Sequence, residues 1–234
     1  MLRVKKDQSV LILGDSRSDW ALIKATSVAV SLAGGDPLVL LMESKSNGTV
    51  DPPRPLVEAM KGADALIYFA RTQMIHSKAF QDAYSRGLKI LILAGMDVDM
   101  AIRCISRVDY DAMTRLGERL SDITAKAKSL RITSLAGTDV SFENGGRPVF
   151  HHSGIMEYTP GTYSIQRVTG VDFVGGQISW VPLEDTINGT LVVDGSMAPP
   201  DSIGVLKNPI KLKITKARIT EVVGASKRRC SQIG

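Results

Sequence analysis

The first hundred residues alternate short, wholly apolar runs with stretches that carry apolar residues at helical spacing. The first run, SVLILG at residues 9–14, is typical of a strand that is buried on both faces of a parallel sheet. Helical spacing over residues 20–32 follows, and the pair Gly34-Gly35 ends it. The cycle repeats, with strands predicted at residues 37–42, 65–70 and 88–93 and helices at residues 55–62 and 76–86. This alternation predicts an α/β fold, a doubly wound and mostly parallel sheet with right-handed crossovers.

The loop after the first strand, residues 14–19, lies where doubly wound folds bind ligands, at the carboxyl end of a strand. It lacks the glycine spacing with which a backbone approaches a pyrophosphate. We therefore interpret it as a capped turn, with Asp15 and Ser16 as the caps, rather than as a nucleotide site. His76, at a predicted helix start, is likewise interpreted as a hydrogen-bonding group of a helix end rather than as a group in a cleft.

The second half of the chain has a different pattern. Residues 110–128 predict one long amphipathic helix, whose apolar residues follow at intervals of three and four: Met113, Leu116, Leu120, Ile123 and Ala127. From Leu130 the period changes to two, which predicts antiparallel hairpins at residues 131–144 and 210–223. The predicted organisation is an α/β domain at residues 1–106, a linking helix at 107–128, a β-rich antiparallel (α+β) domain at 129–225 that we expect to be incomplete, and a basic tail at 226–234.

The stretch VGGQISWVPLEDTINGTLVVDGS, residues 174–196, concentrates polar groups in a strand-rich segment. The pair Gly175-Gly176 allows a close backbone approach, and Gln177 opens a predicted strand. The pair Asn188-Gly189 predicts a tight turn before a return strand. Glu184 and Asp185 are candidates for a general acid/base pair, but a solvated loop beside a turn explains two adjacent carboxylates equally well.

Histidines and cysteines do not occur at metal-ligand spacing. His151 and His152 are adjacent on a predicted strand, so their side chains point to opposite faces and do not share one ion. We expect one of them to be exposed and the other half-buried. Cys104 and Cys230 lie far apart without a Cys-x-x-Cys partner, which indicates reduced thiols rather than zinc ligands.

Composition restricts the partners. The formal net charge is +5, and without three basic residues of the tail, Lys227, Arg228 and Arg229, it is +2. An aromatic share of 5% offers no stacking platform, so we expect no nucleic-acid partner. No apolar run approaches the roughly 18 to 20 residues of a membrane span, so we expect no membrane insertion and a cytoplasmic location.

Four segments together carry a family resemblance: GLKILILAGMDVDM (87–100), LRITSLAGTDVSFENGGRP (130–148), GGQISWVPLEDTINGTLVVDGS (175–196) and PIKLKITKARITEVVG (209–224). They resemble the thermophilic metallo-aminopeptidases of the leucyl aminopeptidase or aminopeptidase T type. That family is related to the ring-opening 2,5-dihydroxypyridine dioxygenases. The likeness covers nearly the whole chain up to Gly224.

The resemblance implies a metal-dependent hydrolase. In the aminopeptidases a pair of divalent ions, of the zinc, cobalt or manganese type, activates water against the bond of a small peptide. Their first carboxylate ligand follows the Gly-Gly pair, which makes Gln177 the candidate metal-binding residue here. A neutral amide does not balance charge between two cations, which counts against an aminopeptidase. The alternative is a relative of the dioxygenases, which hold one iron(II) through histidines and a carboxylate and act on a small aromatic substrate.

The resemblance stops at Gly224, before the part in which the family carries its remaining metal ligands. We expect a C-terminal truncation, through a shifted reading frame after Gly224, and a chain that is inactive and holds no metal of its own. The aminopeptidase is the main interpretation, because residues 174–196 match it better apart from Gln177. A non-catalytic scaffold or oligomerisation remnant is a further alternative, and the resemblance also implies a homodimer.

Overall fold

The computed structural model describes residues 1–45, 50–155, 171–172, 174–197 and 204–224. The chain divides into two compact units. One comprises Met1–Ser121 with Phe150–Ser179, and the other comprises Asp122–Val149 with Trp180–Gly234. Residues 150–179 thus group with the first unit, whereas the sequence pattern assigns them to the second domain. The predicted domain boundaries stay a prediction.

The first unit contains a five-stranded parallel sheet in the order β2-β1-β3-β4-β8. Its strands are β1 (Ser9–Asp15), β2 (Asp36–Met42), β3 (Ala65–Tyr68), β4 (Lys89–Ile92) and β8 (Val171–Asp172). The helices between them are α1 (Trp20–Leu32), α2 (Arg54–Lys61) and α3 (Lys78–Ser85), and α4 (Val98–Ala101) after β4 continues into a π-helical turn (Ile102–Ser106). Strand β2 lies on one side of β1 in the sheet, and β3 and β4 lie on its other side, so the strand order reverses at β1. This reversal confirms the predicted doubly wound architecture.

Strand β1 is apolar on both faces because each face contributes to a separate core. Leu11 and Leu13 point into a cluster that includes Leu56 of α2 and Phe80 of α3. Val10 and Ile12 point into a second cluster, which contains residues of α1 such as Ile23. Residues 10 to 13 are at most 1% exposed, so this strand lies at the centre of the unit.

The N-terminal cap of α1 is Asp19, so the prediction of Asp15 and Ser16 as caps is wrong. The Asp19 Oδ1 atom accepts hydrogen bonds from the backbone N–H groups of Ala21 at 2.9 Å and Leu22 at 3.2 Å. A side-chain oxygen at this position satisfies N–H groups that the first turn of a helix leaves free. Asp15 lies four positions before Asp19, too early along the chain to cap this helix, and it has a different role.

The long helix α5 (Tyr110–Lys126) is present as predicted, but its burial is the reverse of the expected one. Its buried positions are Thr114, Gly117 and Ser121, which carry small side chains. The apolar side chains of Leu116 and Ile123 are 59% and 57% exposed. None of the helices in the described ranges has the length and apolar character to cross a membrane.

The second unit contains a five-stranded antiparallel sheet in the order β14-β13-β10-β6-β5. Its strands are β5 (Ser129–Thr133), β6 (Asp139–Glu143), β10 (Asn188–Val193), β13 (Ile210–Thr215) and β14 (Arg218–Val223). The register places one set of apolar side chains on a common face: Leu130, Ile132, Val140, Phe142, Leu191 and Leu212. The ring of Phe142 packs against Trp180 with centroids 6.4 Å apart. The predicted antiparallel β-rich part is confirmed.

Four short strands complete the described structure: β7 (Val149–His152) pairs with β9 (Gln177–Trp180), and β11 (Ser196–Met197) pairs with β12 (Gly204–Val205). The pair Asn188-Gly189 opens strand β10, so the tight turn predicted there is wrong. A β-carbon at residue 189 would overlap the backbone carbonyl of Asp139 on the neighbouring strand. Glycine is therefore required by close strand packing rather than by a turn.

The predicted hairpin of β13 and β14 closes through Lys216 and Ala217, both of which have positive φ angles, 50° and 60°. Two consecutive left-handed residues form the two-residue turn that matches the twist of antiparallel strands. Hydrogen bonds hold these residues in place, because Lys216 N donates to the side-chain oxygen Oδ1 of Asn188 at 3.0 Å and Ala217 N donates to the carbonyl of Ile187 at 3.0 Å.

The substitution Ala217→Gly should raise the free energy of unfolding by about 0.5–1 kcal/mol. A left-handed conformation costs a residue with a β-carbon roughly 1–2 kcal/mol, and the greater unfolded-state entropy of glycine offsets part of that gain. Urea denaturation measures the change. Ala136→Gly is the matched control, a hairpin-loop alanine without a positive φ, and it should not stabilise the protein.

Candidate functional site

Strand β9 begins at a close backbone crossing. A β-carbon on Gly175 would overlap the carbonyl of Ser153, and Gly176, with a φ of 93°, donates its N–H to the carbonyl of His152 at 2.9 Å. The two glycines therefore let the chain pass directly against the end of β7. The predicted close approach at this pair is thus present, between two segments of backbone.

Gln177, the candidate metal-binding residue, follows this crossing and is exposed. Its amide Nε2 donates to the hydroxyl of Ser179 at 2.9 Å, two residues along the same strand. Within the described ranges, no three or more His, Cys, Asp or Glu side chains group so that they could hold a metal ion. The described residues therefore do not supply a ligand set that fits an iron or zinc site, and the role of Gln177 stays a prediction.

Glu184 is the partner of an arginine. The Arg147 guanidinium donates to both carboxylate oxygens of Glu184, at 2.9 and 3.0 Å, and also to the carbonyl of Pro182 at 2.7 Å. These hydrogen bonds from Arg147 hold the pKa of Glu184 below its ordinary value. A carboxylate kept ionised in this way is a poor general acid.

Glu184 and Asp185 belong to a single 3-10 turn, Glu184–Thr186, that joins β9 to β10. Thr186 fixes this turn, because its hydroxyl donates to Leu183 O at 2.6 Å and accepts the N–H of Glu143 at 2.9 Å. Asp185 is exposed. The arrangement accounts for both carboxylates as parts of a connecting turn, and their catalytic role stays a prediction.

His151 and His152 are both buried, at 1% and 9% exposure, so the prediction of one exposed and one half-buried histidine is wrong. The two residues end β7, which packs inside the first unit. The His151 ring lies directly against Gly117 of α5, where a β-carbon would overlap it. The small side chains on the buried face of α5 thus make room for this imidazole.

Asp15 forms the most highly connected polar group at the carboxyl edge of the parallel sheet. Its Oδ2 atom accepts hydrogen bonds from Arg71 N at 2.8 Å, Thr72 N at 2.9 Å and Thr72 Oγ1 at 3.0 Å. Its Oδ1 atom accepts from Arg17 N at 3.1 Å and lies 3.2 Å from Ser18 Oγ. The carboxylate, 3% exposed, therefore ties the loop after β1 to the loop after β3.

Desolvation raises the pKa of Asp15, but the hydrogen bonds from Thr72, Arg17 and Arg71 outweigh that effect and hold it below its ordinary value. The carboxylate is thus ionised at neutral pH and saturated with donors. Sequence reasoning missed this group by reading it as a helix cap. The available signal was its position, directly after a wholly apolar strand at the edge where doubly wound folds place polar groups.

A cavity of about 310 Å³ opens beside this edge, at the carboxyl ends of β3 and β4. Its walls include Tyr68, Ile92, Met96, Met100 and Val174, and none of the described residues that line it is charged. The Tyr68 hydroxyl donates to the Thr72 carbonyl, and burial raises the pKa of Tyr68 to about 12. The cavity can take a small apolar group, but the described residues that line it supply no carboxylate, imidazole, amine or thiol.

The sequence profile of the NicX family, 2,5-dihydroxypyridine 5,6-dioxygenase, matches residues 1–230. The chain belongs to this family. The prediction of an aminopeptidase family, and with it of a metal-dependent hydrolase, is therefore wrong, and the dioxygenase relationship stated as the alternative is correct at the level of the family.

The fold of this NicX-family chain is similar to that of 2,5-dihydroxypyridine dioxygenase from Pseudomonas putida KT2440. The TM-score is 0.68 at 20% sequence identity, and the match covers 99% of this chain and 67% of that one. A protein described as a probable alpha-L-glutamate ligase from Enterobacter sp. (strain 638) is 27% identical over 168 residues. The match covers 67% of this chain and 54% of that protein, so the chain spans about half the length of this relative.

Replacing the buried carboxylate, Asp15→Asn, should lower the free energy of unfolding by about 2–4 kcal/mol, because an amide NH₂ would face N–H donors. The pKa of Asp15 is lowered in the folded state, so its stabilisation is present above about pH 4 and is lost as the pH falls through the folded pKa. Urea denaturation from pH 3 to pH 7 measures both effects. Asp19→Asn is the control: asparagine is also a good helix cap, so this change should lower the free energy of unfolding clearly less than Asp15→Asn does.

The contact between α5 and β7 can be tested by a double-mutant cycle. Gly117→Ala should cost about 1–3 kcal/mol of stability, because the new β-carbon overlaps a buried ring. In the background of His151→Ala the same change should cost nothing, since alanine favours a helix over glycine. An unchanged cost in that background would show that residue 117 does not act through His151.

Proposed function

We propose that the protein cleaves the ring of a small dihydroxylated aromatic substrate of the 2,5-dihydroxypyridine type with dioxygen. The observation that carries this proposal is the family match over residues 1–230. The likeness of fold to a solved 2,5-dihydroxypyridine dioxygenase over 99% of the chain supports it. Of the two substrates that the sequence resemblance implied, the small aromatic compound agrees with this assignment and the small peptide does not.

Iron(II) is the cofactor that this proposal requires, in place of zinc, cobalt or manganese. The described residues hold no complete ligand set for such an ion. We therefore assign the described parts to the scaffold of the enzyme and assign no iron ligand among them, since the prediction for Gln177 came from the aminopeptidase resemblance. No catalytic step is assigned to Glu184 or Asp185, since Arg147 already engages the first of them.

The ligase relative does not favour a second function. A ligase that uses a nucleotide needs a phosphate-binding loop, and the loop at residues 14–19 lacks the glycine spacing of such a loop. Its Asp15 carboxylate is directed towards the backbone N–H groups of the neighbouring loop, which leaves those groups unavailable to a phosphate. The homodimer and the cytoplasmic location predicted from the sequence stay predictions.

Loading the purified protein with Fe(II) under anaerobic conditions, and then adding 2,5-dihydroxypyridine in air-saturated buffer, should start ring cleavage. We expect the absorbance of the substrate ring to fall. One mole of dioxygen should be consumed per mole of substrate lost, because a dioxygenase places both oxygen atoms in its product. An oxygen electrode and an absorbance spectrometer measure the two quantities together.

Glu184→Gln should leave this activity within about twofold of the wild type, because its carboxylate serves the turn and not the substrate. Leucine anilide is the control substrate and should not be hydrolysed. Hydrolysis of the anilide without oxygen uptake would contradict the proposal. Absence of both activities in an iron-loaded sample would favour the non-catalytic scaffold.

A further inference from the structure

A second cavity of the first unit, which we call the amino-edge cavity, opens at the amino edge of the parallel sheet. It lies between the last turns of α2 and α3, beside the starts of β3 and β4. Its volume is about 450 Å³, and sites for small molecules usually have about 300–1,000 Å³. The described residues that line it include three basic side chains, Lys61, Arg86 and Lys89, and one acidic side chain, Asp64. Unlike the cavity beside Tyr68, it is therefore lined by charged groups.

Two of the three positive charges have no partner. The Lys61 ammonium donates to both carboxylate oxygens of Glu58 at 2.8 Å, so its charge is already offset. The side chains of Arg86 and Lys89 form no hydrogen bond or ion pair with any residue of the described ranges. A guanidinium and an ammonium group in the cavity are thus available to an anion.

The end of α3 does not account for these two cations. Basic side chains near the end of a helix often bind its last carbonyl groups. In α3 the backbone already does so, because Gly87 N donates to Tyr84 O at 2.8 Å and Leu88 N donates to Ala83 O at 3.2 Å. Gly87 has a φ of 99°, as the glycine of such a helix ending requires. The free cations are therefore not needed to complete the helix.

Asp64 limits the charge of the anion that fits. Its Oδ2 atom accepts the N–H of Ser9 at 2.8 Å, and its Oδ1 atom has no donor within the described part of the chain. Because Glu58 offsets Lys61, the two free cations and this carboxylate together leave a single positive charge in the cavity. The amino-edge cavity thus combines a net charge that matches one anionic group with one oxygen that can accept a hydrogen bond.

We propose that the amino-edge cavity binds a small organic monocarboxylate that also carries a hydroxyl or amide donor. The planar fork of Arg86 suits a carboxylate, since it can donate two parallel hydrogen bonds, and Lys89 adds a second positive charge. The donor of the ligand bonds to the free oxygen of Asp64. A phosphate dianion suits the site less, because its second charge would lie beside Asp64 without compensation. The inference does not depend on the dioxygenase function.

Titration of the purified full chain, labelled with ¹⁵N, with lactate and with propionate tests the proposal. The two acids have the same carbon skeleton and charge, and only lactate carries a hydroxyl group. We expect lactate to shift the backbone amide signals of residues 86–89 with a dissociation constant of about 1 mM, since so small a ligand makes few contacts. Propionate should bind at least about threefold more weakly, because it lacks one hydrogen bond.

Substitutions identify the groups that bind the ligand. Arg86→Gln should raise the dissociation constant of lactate about tenfold, and Lys89→Gln about threefold, because the first also removes the paired hydrogen bonds. Arg54→Gln removes one positive charge at the opposite end of α2, outside the cavity, and is the matched control that should leave binding unchanged. Asp64→Asn removes the repelling charge and should strengthen the binding of inorganic phosphate at pH 8 by at least about threefold.

Three results would overturn the proposal. In the first, lactate at concentrations up to 20 mM leaves the amide signals of residues 86–89 unchanged. In the second, Arg54→Gln weakens binding as much as Arg86→Gln does, which would show a response to the overall charge of the protein. In the third, inorganic phosphate binds to the wild type more tightly than lactate does, which would show that the cavity does not select a monocarboxylate. Amide signals outside the cavity that stay in place in each variant show that the variant is folded.

Discussion

Burial of strand β1 is the constraint on which the first unit depends. Residues 10 to 13 alternate between two apolar cores, so each core receives two side chains from the same strand. A polar residue at any of these four positions would place an unsatisfied group in one core or the other, which costs several kcal/mol. The wholly apolar run in the sequence is the direct consequence of that position.

This run and its successors explain why the fold was predictable. Buried parallel strands and the helices between them carry a strong periodic signal, and the prediction of α1 over residues 20–32 agrees with the structure. The hairpin of β13 and β14 was equally clear, because Ile210 and Leu212 alternate with exposed lysines. The pair Asn188-Gly189 was misread, since glycine serves close strand packing as well as turns. Sequence alone does not distinguish these two uses.

The candidate site was less predictable, because the same types of polar residue serve structural roles in one protein and catalytic roles in another. Glu184 pairs with Arg147, and the two residues are 37 positions apart, so nothing local in the sequence indicates the contact. His151 is buried against Gly117 for a similar long-range reason. The prediction of an aminopeptidase family was wrong, and one residue of the sequence spoke against it. Gln177 counts against a two-metal hydrolase, whereas the other three segments are shared with the aminopeptidases, and the family match shows that the chain belongs with the dioxygenases.

The parallel sheet of the first unit has a further consequence for how the protein is made. Its fifth strand, β8, pairs with β4 through Ile90 and Leu91, yet it follows β4 by a long interval of chain. At the usual rate of translation, the about 80 intervening residues take some 4–16 seconds to leave the ribosome. During that time β4 is the outer strand of a four-stranded nascent sheet, with its hydrogen-bonding edge open to other polypeptides. In the interval between these two strands, the edge of β4 is therefore open to pairing with a wrong strand.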